Sequence, residues 1–173
     1  PDRIEAGTFL VIAAAAGEKV IVQNVIPQHL EAVTSKLKEI GVKMDIVGDS
    51  IIVHGGIENL KPVDIRTQVY PGFATDLQQP LTALLTQCQG SSQVVETIYP
   101  ERFGHCYQLN SMGAKIAQEE AMCYIDGPTP LHGARVYATD LRCGAALIVA
   151  ALIADGVTEI GNVYHIDRGY ENI

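Results

Sequence analysis

Residues 138–156 read Ala-Thr-Asp-Leu-Arg-Cys-Gly-Ala-Ala-Leu-Ile-Val-Ala-Ala-Leu-Ile-Ala-Asp-Gly: a polar start, an apolar run and a closing glycine. The run 145–154 is too long and too alanine-rich for a strand, and alanine is the best helix former. Thr139 or Asp140 supplies the side-chain oxygen that a helix start needs, and Gly156 ends the run. The same plan occurs twice more. Asp2-Arg3-Ile4 leads through residues 9–16 to Gly17, and Thr75-Asp76-Leu77 leads to Gly90. Twelve residues beyond the three glycines stand His29, Arg102 and Arg168. One spacing kept three times identifies an internal repeat, and a missed repeat would misassign the whole fold.

The rest of the unit follows outward from these helices. Strand-like runs rich in β-branched and aromatic residues come next, at 19–25, 93–99 and 158–164. Leu30, Val33, Leu37 and Ile40 then share one helical face, with Gly41 closing that helix and Gly113 its counterpart in the second copy. Two short strands complete the unit: 43–47 with 50–53 about Gly48-Asp49, and 115–118 with 122–125 about Glu119-Glu120. Further strands at 63–70 and 134–137 precede the second and third helices. The repeat is therefore β-α-β-α-β-β, and the expected fold class is α+β. Residues 1–173 are expected to form one domain, with units at about 1–62, 63–132 and 133–173. Only Pro1 precedes the first helix start and five residues follow Arg168, so the repeats read as incomplete at both ends. A piece of a longer chain, or a protein completed by another segment, is the expectation.

Composition sets further bounds. The 173 residues are 47% hydrophobic and 18% charged, too apolar for a disordered chain. The formal net charge of −8 argues against nonspecific nucleic-acid binding, which needs clustered positive charge. With no Trp and three Phe, the core must be built from aliphatic side chains. The longest apolar run, ten residues closed by Asp155, is half of what a membrane span needs, so no membrane partner is expected. Cys88, Cys106, Cys123 and Cys143 are scattered, with neither a CxxC pair nor histidines at metal-ligand spacing. Free thiols, a cytoplasmic location, no metal and no cofactor are expected.

Four of the six arginines, Arg3, Arg102, Arg142 and Arg168, fall at expected helix starts. A helix start carries partial positive charge, which makes cations there unfavourable unless an anion sits among them. Arginine suits that anion because its planar fork binds phosphate or carboxylate bidentately. The competing reading pairs each arginine with its neighbouring acid: Asp2, Glu101, Asp140 or Asp167. Asp76 sits behind a longer Pro/Gly approach loop (70–75) than Asp140 does, so it reads either as a helix cap or as a cleft carboxylate able to accept a hydroxyl proton. His105 and His165 read as polar cleft or surface side chains.

At these residues a resemblance becomes specific. Pro-Asp-Arg-Ile-Glu-Ala-Gly-Thr-Phe-Leu (1–10), Tyr-Pro-Gly-Phe-Ala-Thr-Asp-Leu-Gln (70–78), Glu-Thr-Ile-Tyr-Pro-Glu-Arg-Phe (96–103), Ala-Thr-Asp-Leu-Arg (138–142) and Tyr-His-Ile-Asp-Arg-Gly-Tyr-Glu (164–171) carry it. In order and across nearly the whole chain, they resemble the C-terminal part of the UDP-N-acetylglucosamine enolpyruvyl transferases (UDP-N-acetylglucosamine 1-carboxyvinyltransferases). The resemblance implies an inside-out α/β barrel (an α/β prism) of three β-α-β-α-β-β units. It also implies a second, N-terminal catalytic domain, absent from these residues, and a substrate cleft between the two. The implied reaction moves the enolpyruvyl group of phosphoenolpyruvate to the 3′-hydroxyl of UDP-N-acetylglucosamine through a tetrahedral intermediate, the first committed step of peptidoglycan synthesis.

By motif, the resemblance makes Asp76 the carboxylate on the sugar hydroxyl. Ile98 becomes a backbone contact to the sugar nucleotide, and Arg168 the arginine that closes on phosphoenolpyruvate. Arg102 and Arg142 become cleft residues for substrate binding and domain closure. Two departures stand out. No cysteine here matches the family's reactive loop, so the thiol that fosfomycin alkylates is expected to be missing. Pro100 and Gly104 also break the usual pattern around Arg102. Two other readings compete with an enzyme part inactive on its own: a shikimate-3-phosphate enolpyruvyl transferase, and a stand-alone module that binds a sugar nucleotide or a protein.

Overall fold

The computed structural model describes residues 1–171 and 173. Helix α1 (Arg3–Ala16) leads to strand β1 (Lys19–Val22), a 3₁₀ turn (Pro27–Leu30), α2 (Glu31–Ile40) and the hairpin of β2 (Lys43–Val47) with β3 (Ser50–His54). The second set is β4 (Ile65–Arg66), α3 (Thr75–Leu85), β5 (Gly90–Val95), α4 (Gly104–Ser111), β6 (Lys115–Glu119) and β7 (Met122–Gly127). The third is β8 (Arg135–Tyr137), α5 (Leu141–Ile153), β9 (Glu159–Gly161) and α6 (Tyr164–Asp167).

Helices α1, α3 and α5 pack on one another at the centre. The sequence of α5 dictates this placement, because a helix apolar around nearly its whole circumference has to be buried on all sides, and α3 joins it with Gln78, Gln79 and Thr82 buried beside its apolar residues. In α3 every residue from Leu77 to Leu85 is buried, and in α5 the residues from Cys143 to Ala150 are buried except Ile148. The sheets lie outside. Ile51 and Val53 of β3, Cys123 and Ile125 of β7, and Val136 of β8 turn into the core, while alternate residues face solvent. This is the inside-out arrangement of an α/β prism.

The first sheet has the order β1-β3-β2, the second β4-β5-β7-β6 and the third β8-β9. Hairpins β2–β3 and β6–β7 are antiparallel, whereas β4–β5 and β8–β9 are parallel, so each parallel pair wraps one central helix. Strand β5 is flanked on both sides; its counterpart β1 has β3 alone among the described residues. No helix among them is long and apolar enough to cross a membrane.

Several boundaries depart from the sequence reading. The strand expected at 63–70 shrinks to Ile65–Arg66, because the chain reverses at 69–72, where Gly72 N–H donates to Val69 C=O at 2.8 Å. Gly17 caps α1, but α3 stops five residues before Gly90. There Thr86 Oγ1 turns back to the carbonyl of Ala83 at 2.7 Å, and Gly90 instead opens β5. The second hairpin turns at residues 120–121, one residue later than expected, with Glu120 at φ +51°. Strands 19–25 and 158–164 end early, at Val22 and Gly161, where Asn24 and Asn162 take positive φ. Gly41 does close α2 in the left-handed region at φ +108°, which a residue with a Cβ rarely adopts.

Gly55, just past β3, lies flat against the end of α1: a methyl there would overlap the carbonyl oxygens of Gly17 and Ala13. Gly55→Ala is therefore expected to cost about 2 kcal/mol or more. For a chain of this size that lowers the thermal midpoint by roughly 4–8 °C, read by circular dichroism.

Candidate functional site

The N-terminal ends of the three central helices meet. Gly7 of α1 lies against Leu77 of α3, and Asp140 at the head of α5 receives the Gln79 amide of α3 at 3.4 Å. Asp2 and Asp140 act as caps: Asp2 accepts from Ile4 N–H at 2.7 Å, and Asp140 from Arg142 and Cys143 N–H at 2.8 and 3.0 Å. Asp76 does not. Residue 74 occupies the cap position of α3, and the Asp76 side chain makes no cap bond. Pro80, four residues on, has no N–H to offer the Asp76 carbonyl.

Freed from capping, Asp76 takes two guanidinium partners. Arg102 Nη1 donates to its Oδ1 at 2.8 Å, and Arg142 Nε approaches the same oxygen at 3.4 Å. Among the described residues Oδ2 has no partner. These side chains are 33%, 23% and 17% exposed for Asp76, Arg102 and Arg142, so the cluster sits at a half-open surface. The neighbouring acids Glu101 and Asp140 do not pair with the two guanidiniums, which disposes of the adjacent-pair reading for Arg102 and Arg142. The cluster sets two cations against Asp76 directly and against the buried Glu96 carboxylate one hydroxyl away through Thr75. It coincides with the positive ends of the central helices, the electrostatic setting that favours an anion.

Each cation is braced. Arg102 also donates to Thr75 Oγ1 at 3.1 Å and lies 4.8 Å from the Tyr99 ring centroid. Arg142 Nη1 donates to Tyr170 Oη at 2.9 Å, and that hydroxyl bonds Thr8 Oγ1 at 2.9 Å, tying the chain's two ends to the site. Arg3 stacks on the exposed Tyr70 ring at 5.0 Å, with His29 edge-on to the same ring at 6.2 Å. Half-buried Ile98 donates its N–H to Glu96 Oε1 at 2.8 Å, which leaves its carbonyl as the backbone group available to a ligand. An open depression of about 670 Å³ lies between the 68–72 turn and Thr97–Ile98.

The structure thus brings Asp76, Arg102 and Arg142 together and sets Ile98 on a neighbouring loop. Arg168 stands apart. It follows the last residue of α6 instead of starting a helix, it is exposed, and it makes no ion pair with a described residue. His105 is fully buried and stacks on Phe103, so it is a core residue and not a cleft one; its backbone lies inside α4, whose inner face it fills. His165 is half-buried against Tyr164. All four cysteines are free and buried. Burial pushes the Cys88 thiol up to about 12, while contact with the Cys123 thiol and His105 draws Cys106 down.

Sequence reasoning missed three supporting residues: Thr75, Tyr170 and the buried Glu96. Their signals were present but slight. Glu96 directly follows the two valines that end β5, and Tyr170 is an aromatic in a tail rich in polar residues.

The sequence profile of the family described as EPSP synthase (3-phosphoshikimate 1-carboxyvinyltransferase) matches residues 1–173. The chain is 58% identical over 173 residues to UDP-N-acetylglucosamine 1-carboxyvinyltransferase 2 of Listeria monocytogenes serotype 4b, and 56% identical to the protein of that name from Bacillus subtilis. It spans 41% and 40% of their lengths. Among solved structures, the enolpyruvyl transferase NikO from Streptomyces tendae aligns with a TM-score of 0.87 at 29% identity, over 98% of this chain and 40% of that one. EPSP synthase from Acinetobacter baumannii shares the fold, with a TM-score of 0.71 at 17% identity over 98% of this chain and 43% of that one.

The Arg142–Tyr170–Thr8 chain carries its own test. Tyr170→Phe and Thr8→Val are each expected to cost about 1 kcal/mol. The double variant should cost less than their sum, because both remove the same hydroxyl contact. Denaturant unfolding of the four proteins measures this; strict additivity would contradict it.

Proposed function

The chain belongs to the EPSP synthase (3-phosphoshikimate 1-carboxyvinyltransferase) family, and on that premise we propose that it forms the acceptor side of a UDP-N-acetylglucosamine enolpyruvyl transferase. The observation that carries the reading is Asp76, withdrawn from helix capping and held through one oxygen by two arginines. The 58% identity to transferases named for UDP-N-acetylglucosamine supports that acceptor over shikimate 3-phosphate, for which the family description and a shared fold at 17% identity speak.

In this reading the 3′-hydroxyl of the sugar attacks C2 of phosphoenolpyruvate. Asp76 Oδ2, the unpartnered oxygen, takes the hydroxyl proton as the new C–O bond forms, while C3 takes a proton from a general acid of the second domain, whose conjugate base later recovers it. The tetrahedral intermediate then loses phosphate and a C3 proton, restoring the double bond. Arg102 and Arg142 fix the carboxylate by its other oxygen, so that little reorganisation is needed during reaction. Ile98 meets the sugar nucleotide through its carbonyl. Arg168, exposed and without an ion pair to any described residue, is free to close on phosphoenolpyruvate.

The groups that bind phosphoenolpyruvate from the other side would come from a second, N-terminal domain, so these residues alone are expected to be inactive. We read residues 1–173 as one domain of three units meeting near residues 62 and 132. The reaction is the first committed step of peptidoglycan synthesis and is cytoplasmic.

The test uses a full-length relative carrying this chain in place of its matching segment. Asp76→Ala is expected to lower kcat by about 10²- to 10⁴-fold, the range for a positioned general base; near-normal turnover would sink the assignment. Arg168→Lys should raise KM for phosphoenolpyruvate by about tenfold or more, since a point charge cannot replace the guanidinium fork. An unchanged KM would remove Arg168 from that role.

A further inference from the structure

Glu96 follows β5 directly and is 1% exposed, so it cannot itself meet a ligand. All its side-chain partners are donors. Oε1 accepts from Thr67 Oγ1 at 2.6 Å, Ile98 N–H at 2.8 Å and Tyr99 N–H at 3.1 Å. Oε2 accepts from Thr75 Oγ1 at 2.9 Å and the Gln78 amide at 3.5 Å. One oxygen therefore gathers the Ile98 loop and the residue after β4, while the other grips the first turn of α3, where Asp76 stands.

We propose that Glu96 is a positioning residue for the transfer, setting the separation between the Asp76 carboxylate and the Ile98 backbone. The inference rests on the roles given above to those two residues. Thr75 makes the link specific: its hydroxyl donates to Glu96 and accepts from Arg102, which in turn holds Asp76. The general base and the sugar-nucleotide loop are thus referred to one buried carboxylate. Catalytic geometry tolerates little error, and loss of such supporting contacts elsewhere costs roughly 10- to 100-fold in activity or affinity.

The two oxygens can be tested separately. Glu96→Gln keeps one acceptor, which the Ile98 and Tyr99 N–H groups will claim because backbone donors cannot reverse. Its new NH₂ then faces α3, where Gln78 can accept from it only by turning its amide and giving up the Arg102 carbonyl, and the Thr75 hydroxyl must reverse from donor to acceptor. Glu96→Ala frees both sides. In the full-length relative carrying this chain, Glu96→Gln is expected to lower kcat by roughly 10- to 100-fold, with KM for UDP-N-acetylglucosamine changed by less than about threefold. Glu96→Ala should lower kcat and also raise that KM by about fivefold or more.

A merely structural carboxylate predicts something else: a lower thermal midpoint with kcat and KM of the folded protein within twofold of the unsubstituted one, and that result would overturn the proposal. If neither Glu96 variant folds, Thr75→Val, which keeps the shape and cuts the same link, is expected to show the kcat loss; unaltered kinetics would likewise overturn it. An unsubstituted hybrid that transfers no enolpyruvyl group to UDP-N-acetylglucosamine would overturn the functional reading and this inference with it.

Discussion

Two guanidinium groups converge on a single carboxylate oxygen at the end of the molecule where three central helices begin. Arg102 reaches Asp76 from the loop before α4, and Arg142 reaches it from the first turn of α5. Neither arginine would be stable there without a counter-charge, because the helix ends already carry partial positive charge. Asp76 supplies one charge directly and Glu96 a second through Thr75, so the remaining pull on an anion comes from the helix ends. That pull can be met by a phosphate or carboxylate brought by a ligand. The arrangement depends on the three helices running parallel, and that in turn depends on sequences apolar enough to be buried on every side.

Burying three such helices forces the sheets outward and leaves polar groups on α3 to be satisfied inside. Thr82 Oγ1 bonds the Gln78 carbonyl at 2.9 Å, and just past the helix the Gln87 amide reaches the Thr129 carbonyl at 2.9 Å. Glu96 collects five donors at the functional end of the same helix. A buried polar group left without partners costs about 1–3 kcal/mol, so these side chains fix α3 in one register. The carboxylate and loop that the chemistry needs are carried on the most constrained part of the fold.

Much of this was legible in the sequence. The three Asp-led, Ala/Leu-rich runs gave three central helices, and the β-branched runs gave most strands, because period and propensity there reflect burial directly. Boundaries failed where a local bond or turn intervened: Thr86 ends α3 early, and the reversal at 69–72 removes most of an expected strand. The repeat also misled at Arg168, since α6 intervenes between β9 and that residue. Asp76, Arg102 and Arg142 were nominated from spacing and motif, but their convergence on one oxygen was not, because 26 residues separate Asp76 from Arg102 and no local pattern encodes the contact. The buried partners Glu96 and Tyr170 left only slight signals for the same reason: a polar residue's burial is set by the tertiary neighbours that satisfy it.

The central claim is that the convergent helix starts, and no other part of this chain, receive the sugar nucleotide. Titrating the isotopically labelled chain with UDP-N-acetylglucosamine, while following backbone amide and arginine Nε resonances by NMR, tests it most directly. The account predicts shifts confined to the 68–76 segment, Thr97–Tyr99 and the side chains of Arg102 and Arg142. Shifts centred instead on the opposite end, around Gly17, Gly41 and Gly55, would contradict it.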